Sequence, residues 1–387
     1  MINNAWGIII VLVGIEAAVM YLAGNARFKH WFSFLPAVFW IYFLPMLAST
    51  AGLIDSRHAV YGLITQNILP ASLFLLLLCV DVKAIVRLGP QALTMMLAGS
   101  AGIMIGTVAV FALLKNIVGG QMWSGFGALS ASWTGGSANM VAVKEALLTP
   151  DEVFLPMVIV DTIVPYFWMG ILVSAVSLQP QFDKFTRADR QVLDELNRKV
   201  ASLHSGKGRQ FSILATIFIL LVAFAGGRAA MAAAGYLPEI KDIISRYAWT
   251  IISASVLGLA LSLTPARKLE RYNSDRIGYL LLYFVLTSIG AKASLANIHE
   301  SLVLIGAGFL IVILHAVFLV LAARLLHAPM FLAAVASQAN IGGVASAPIV
   351  AEIYQPGLAS IGLLLAVFGG IIGTYLGIVT GHLCHLF

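Results

Sequence analysis

Apolar stretches of spanning length recur along the chain, separated by short polar joins. They lie near 5–24, 34–54, 60–80, 91–114, 124–147 and 155–177, and again near 211–235, 246–264, 277–297, 301–325, 330–352 and 357–381. Roughly 20 helical residues cross a bilayer's hydrocarbon, which offers open backbone groups no partner. The runs lack the two-residue alternation of a membrane β-barrel. The pattern predicts an all-α polytopic membrane protein with about 10–13 transmembrane helices.

Between the two sets, residues 178–210 form the one extended polar segment, with Asp183, Lys184, Arg187, Asp189, Arg190, Asp194, Glu195, Arg198, Lys199, Lys207 and Arg209. The chain therefore divides into a first transmembrane repeat, 1–177, a cytoplasmic linker, 178–210, and a second repeat, 211–387. Within the linker, Thr186 and Asp189 resemble a helix start, and Leu193, Leu196, Val200 and Leu203 follow at helical spacing. This predicts an amphipathic helix. The next most basic loop, with Arg267, Lys268, Arg271 and Arg276, is expected on the same cytoplasmic side.

Composition sharpens the picture. Of 387 residues, 60% are hydrophobic and 10% charged, against roughly 25% charged in soluble domains. A soluble enzyme is excluded, and the expected location is the inner (plasma) membrane, with the lipid bilayer as partner. The net charge of +6, from 23 basic and 17 acidic residues, suits basic cytoplasmic loops and gives no reason to expect nucleic acid. Cys79 and Cys384 both fall in or beside apolar stretches and make no disulfide framework. The first apolar run, from Trp6 to Gly24, lacks a basic leader and reads as a retained span.

An internal correspondence adds information that hydrophobicity alone would not. An offset of 207 places Ser130 on Ser337, Gly135 and Gly136 on Gly342 and Gly343, Ala138 on Ala345, Val143 on Val350, and Glu145 on Glu352. An offset of 209 places Lys83 on Lys292. This reads as a duplicated half.

The matched segments, Ser130 to Asn139 and Ser337 to Ser346, concentrate small, hydroxyl and amide residues around a Gly pair inside an apolar span. Each Gly costs a helix roughly 1 kcal/mol relative to Ala, so both spans are expected to break there. Unwound backbone survives at membrane depth only inside protein or beside a wet cavity. Half-helices starting near Ser137 and Val344 would aim N–H groups and a positive dipole end at an anion, while the preceding halves would end in carbonyls suited to Na⁺. Small residues at such spacing also serve close helix packing. The candidate substrate-binding residues are Ser132, Thr134, Gly135, Gly136, Ser137, Asn139, Asn340, Gly342, Gly343 and Ser346.

Asp161 stands inside the apolar sequence Leu155 to Pro165, and an intramembrane acid is a functional candidate by default. Pro165 would free a carbonyl beside it. Asp161, Ser130, Thr162, Ser337 and Gln338 are the ion-coupling candidates. Glu145 and Glu352 lie beyond the glycines, near a membrane surface, where gating or packing roles fit them better than ligation. Glu16 and Arg228 are candidates for pairing between helices, and snorkelling accounts for Arg228 equally well. His382 and His385 suit a boundary anchor, since they do not make a closed metal site. The chain has no H-E-x-x-H, no P-loop and no nucleophile elbow, so neither an enzyme nor a cofactor is expected.

Trp133 to Met140, Thr287 to Leu295 and Gln338 to Pro348 together resemble the YjcL-like family, a bacterial membrane group catalogued as a domain of unknown function. The resemblance covers nearly the whole chain. That family looks similar to bile-acid sodium symporters and sodium/proton antiporters. The kinship implies panel and core domains, inverted repeats, two crossing broken helices and an elevator mechanism. Twelve full spans would make the halves parallel, whereas inverted halves need an odd number between equivalent elements. One stretch then fails to span, or one span is hidden. The expected function is a Na⁺- or H⁺-coupled secondary active transporter, a symporter for a small organic anion such as a carboxylate or amino-acid derivative, assembling as a homodimer. The alternatives are a cation/proton antiporter working through Asp161 and a non-transporting receptor or assembly protein.

Overall fold

The computed structural model describes residues 2–28, 32, 37–188, 211–239, 245–292 and 301–387. Among these residues the β pairing is a single isolated bridge, Ile2 to Ile54. The helices are α1 (Ala5–Gly24), α2 (Ala37–Thr50), α3 (Val60–Leu78), α4 (Val82–Arg87), α5 (Pro90–Val118), α6 (Trp123–Gly135), α7 (Ser137–Ala146), α8 (Asp151–Ser174) and α9 (Gln179–Thr186). After the polar segment come α10 (Ile213–Ala234), α11 (Arg246–Ser262), α12 (Ser274–Lys292), α13 (Ser301–Leu326), α14 (Met330–Ile341), α15 (Gly343–Tyr354) and α16 (Ala359–His385).

Seven of these helical stretches are long and apolar enough to cross a membrane, or eight if the bent pair Arg246–Ser262 and Pro265–Tyr272, turned by 95°, is one span. The protein is a multi-pass, all-α membrane protein. Among the described residues its long straight helices number fewer than the apolar stretches because several stretches are short, interrupted or charged. The stretch at 34–54 gives the 14-residue α2 among the described residues. Those at 124–147 and 330–352 are cut at Gly136 and Gly342, and α12 carries Asp275 in its first turn and Lys292 in its last. Hydropathy registers greasiness but not where a helix stops.

Local chemistry sets the helix ends. Asn4, Asp81, Ser212 and Ser245 each accept a hydrogen bond from a first-turn N–H of the helix that follows. Gly89 takes φ +89 before Pro90 opens α5. Helix α8 continues through a 3₁₀ turn into α9, giving a 36-residue apolar stretch from Asp151 to Thr186. At roughly 54 Å this exceeds the bilayer's hydrocarbon. The head of the polar segment is thus helical, and Thr186 is the last residue of α9, followed by Arg187 at φ +55. The amphipathic helix expected around Leu193 to Leu203 lies outside the described residues.

The chain forms two compact units, each drawing on both sequence halves. The first comprises Met1–Val80, Thr149–Val158 and Arg209–Ser301. In it α3 is packed by α10, α11 and α12, and α12 in turn packs on α2. Ala71, Phe74, Leu75 and Leu78 bury themselves against Ile219, Ala223, Ala230 and Ala254. Lys292 pairs with Asp151 at 3.0 Å in this unit. The second unit comprises Asp81–Leu148, Ile159–Gly208 and Leu302–Phe387. It holds both interrupted helices and every candidate site residue.

Candidate functional site

Helix α6 stops at Gly135 because Gly136 adopts φ +90, ψ 176, a region open only to glycine. The Gly136 N–H still closes onto Ser132 O at 2.6 Å, and Gly136 O accepts from Asn139 N and Met140 N at 3.0 and 3.3 Å. Helix α7 then starts at Ser137 with no side-chain cap, so the first N–H groups of its open turn are left to other partners. The second interruption repeats the device. Helix α14 ends at Ile341, Gly342 intervenes, and α15 begins at Gly343 with φ +60 and no side-chain cap.

The two interruptions meet. A Cβ placed on Gly343 would have the Gly136 Cα, 4.0 Å away, as its nearest heavy neighbour. Gly135 to Ala138 are partly exposed between buried flanks, whereas Gly343 is itself buried and followed by the exposed Val344 and Ala345. Backbone dipole ends of two half-helices therefore lie side by side within the unit.

The first interruption is held by α16. Asn139 donates Nδ2 to Gly135 O (2.7 Å) and Gly370 O (3.2 Å), and its Oδ1 accepts from Thr374 Oγ1. Along α16, Gly369, Gly373, Gly377 and Gly381 press against Thr134, Gly135, Ala131 and Leu147 in turn, at distances where a side chain would collide. Thr134 donates to Ser130 O within its own helix at 2.9 Å. Close packing and an open break coexist here.

The carboxylate of Asp161 on α8 faces the Ser132 hydroxyl and the Trp133 indole. The buried Trp133 Nε1–H has no hydrogen bond of regular geometry. Thr162 is buried beside Asp161 in sequence. At the second interruption, Gln338 donates Nε2 to Ser346 Oγ at 2.7 Å and to Pro165 O at 3.4 Å. A carbonyl can only accept, which fixes the amide orientation. The Gln338 Oε1 is then buried without a partner among the described residues.

Other candidate residues turn elsewhere. Asn340 donates to Ala336 O and Met96 O and accepts from Ser100 Oγ at 2.8 Å, which ties α14 to α5. Ser337 lies between His315 Nε2 (2.9 Å) and Trp168 Nε1 (2.8 Å). Ser130 reaches Thr380 at 3.3 Å, before the break. Sequence reading missed His315, Trp168, Ser100 and Thr374. His315 was visible only as a polar residue in an apolar run, and the unread signal for Thr374 is the four-residue spacing of Gly369, Gly373, Gly377 and Gly381, which suits a close helix contact.

The remaining flagged residues stand apart. Glu145 pairs with Lys144 at 3.0 Å, and Glu352 accepts from Gly357 N at 3.0 Å, both local roles. Glu16 is buried and Arg228 exposed, with no ion pair between them among the described residues. Trp123 stacks on His385 at 4.4 Å and on His382 at 6.0 Å. No group of three His, Cys, Asp or Glu residues suited to a metal ion occurs among the described residues.

Comparison with known proteins agrees with this architecture in kind. The chain is 26% identical over 396 residues to the "Uncharacterized membrane protein YjcL" of Bacillus subtilis (strain 168), covering 97% of this chain and 95% of that protein. The profile of the family described as "Protein of unknown function (DUF819)" matches residues 10–387. With that profile matching nearly its full length, the chain belongs to the DUF819 family.

Proposed function

We propose that the protein is a Na⁺- or H⁺-coupled secondary active transporter for a small organic anion, such as a carboxylate or amino-acid derivative. The observation that carries this reading is the meeting of Gly136 and Gly343, which brings two uncapped half-helix starts to one place. Each helix start carries about half a positive charge and free N–H groups, a combination suited to a carboxylate. Ser137 and Ser346 add hydroxyls, and Asp161, Thr162 and Gln338 supply oxygen donors for the coupling ion. The reading includes an elevator movement in which the compact unit holding both breaks shifts as one body, and a homodimer as the working assembly.

The test is uptake of labelled small mono- and dicarboxylates and amino acids into proteoliposomes under an imposed Na⁺ or pH gradient. Gradient-dependent accumulation of one class supports the proposal. A complete panel without accumulation, together with no thermal stabilisation by any of these solutes, rejects it.

A second reading, a cation/proton antiporter, draws on Asp161, the acid of α8 that faces Ser132 and Trp133. Na⁺ exchange driven by ΔpH without an organic solute distinguishes it.

A further inference from the structure

His315 is the one titratable side chain on α13 before its last turn, and it is fully buried. Its Nδ1 lies 2.8 Å from Gly99 O on α5. A carbonyl has no hydrogen to give, so Nδ1 carries one. Its Nε2 lies 2.9 Å from Ser337 Oγ on α14, and that oxygen accepts the Trp168 Nε1–H of α8 at 2.8 Å. In the neutral ring, Nε2 accepts the Ser337 hydroxyl hydrogen, and every polar atom of the ring and of Ser337 is engaged. One imidazole thus staples α13 to α5 and α14. Gly99 has no room for a side chain, since a Cβ there would stand 2.5 Å from Asn340 Nδ2 and 3.0 Å from His315 Cε1.

The polar groups around the ring do not titrate: Gly99 O and Ser100 on α5, Ser337 and Asn340 on α14, Trp168 on α8. The acid of α8, Asp161, faces Ser132 and Trp133 instead. Arg324, at the far end of α13, lies over the Phe185 ring. A second proton on the ring would turn Nε2 into a donor. Ser337 Oγ would then face two donors, and its own hydrogen would have to leave for another acceptor, such as the carbonyl one turn back. That reversal keeps the hydrogen bonds but leaves a positive charge fully buried with no acid among the described groups that face it, so the closed staple holds the neutral ring.

We propose that His315 is the binding site of a coupling proton, taken up at Nε2 when α13 and α14 part and given back to water when the Ser337 bond re-forms. As a coupling site the proposal rests on the transporter reading; as a proton-controlled staple it does not. The ring is enclosed in this conformation, so proton uptake and opening are one event. Linkage then makes opening depend on pH.

The test uses the purified full-length chain in lipid nanodiscs without solute. Hydrogen exchange of residues 330–341 is followed from about pH 8 to about pH 5 and corrected for chemical exchange rates. Wild type should exchange at least about tenfold faster at the acid end, while His315→Gln should show a flat profile. A flat wild-type profile, or an unchanged rise in His315→Gln, overturns the proposal. Should His315→Gln fail to fold, ¹⁵N NMR of the wild-type imidazole decides: the Nδ1–H tautomer is expected, and the Nε2–H tautomer overturns it. Acid-driven opening without carboxylate uptake would keep this site and remove the transporter reading. Carboxylate uptake with a flat exchange profile would do the reverse.

Discussion

Gly136 and Gly343, separated by the offset of 207 residues seen in the sequence, both adopt positive φ, and outside its own stretch of chain a Cβ built on Gly343 would meet only the Gly136 Cα within 4 Å among the described residues. Neither position is short of space. What confines it to glycine is the backbone angle.

Alanine at these two positions should therefore destabilise through conformation rather than collision. Gly136→Ala is expected to cost about 1–3 kcal/mol, its φ and ψ being outside any region L-residues favour. Gly343→Ala, in the left-handed helical region, should cost about 1–2 kcal/mol. Thermal unfolding in detergent checks both, and a neutral Gly136→Ala would contradict the break as described.

The contact between α6 and α16 makes the opposite kind of demand. A Cβ on Gly373 would stand 2.9 Å from Gly135 Cα, so Gly373→Val should be rejected sterically and cost about 1–3 kcal/mol by overpacking. Gly170, with nothing within 4 Å, is the matched control, and Gly170→Ala should leave the unfolding temperature unchanged or slightly raised.

Asp161→Asn preserves shape and removes charge beside Ser132 and Trp133. The folded protein should survive, while the ratio of solute uptake with and without an ion gradient falls to about one, since an ion that no longer distinguishes two states shifts neither. Retained gradient dependence would take Asp161 out of the mechanism.

Lys292 and Asp151 form an ion pair at 3.0 Å with side chains 29% and 23% exposed. Lys292→Ala should cost no more than about 1 kcal/mol. A larger loss of unfolding temperature would mean the pair is anchored by more than its own attraction.

The helical class, the membrane setting and the two interruptions were legible in the sequence because each leaves a local mark: long uncharged runs, and glycine pairs where only glycine's backbone freedom will do. Asp161 was legible for the same reason, as an acid where acids are costly. The partners of Asn139 and Asn340 were not. Both amides are spent on neighbouring helices, Asn139 on Gly370 and Thr374 and Asn340 on Met96 and Ser100, and the direction of an amide is decided by tertiary packing. His315 gave no warning either, since one imidazole in an apolar run has no spacing to read. The apolar stretches outnumber the long straight helices among the described residues because hydropathy averages across a broken helix as readily as along a straight one.

Asp183 on α9 accepts the Met330 N–H at 2.7 Å, closing the start of α14 from a different helix. From Met330 to the break at Gly342 is about 18 Å of unbroken rod. A ligand or nanobody gripping residues 179–186 would thus hold a lever whose other end is Gly342. Any grip on α9 therefore bears on the break without touching it.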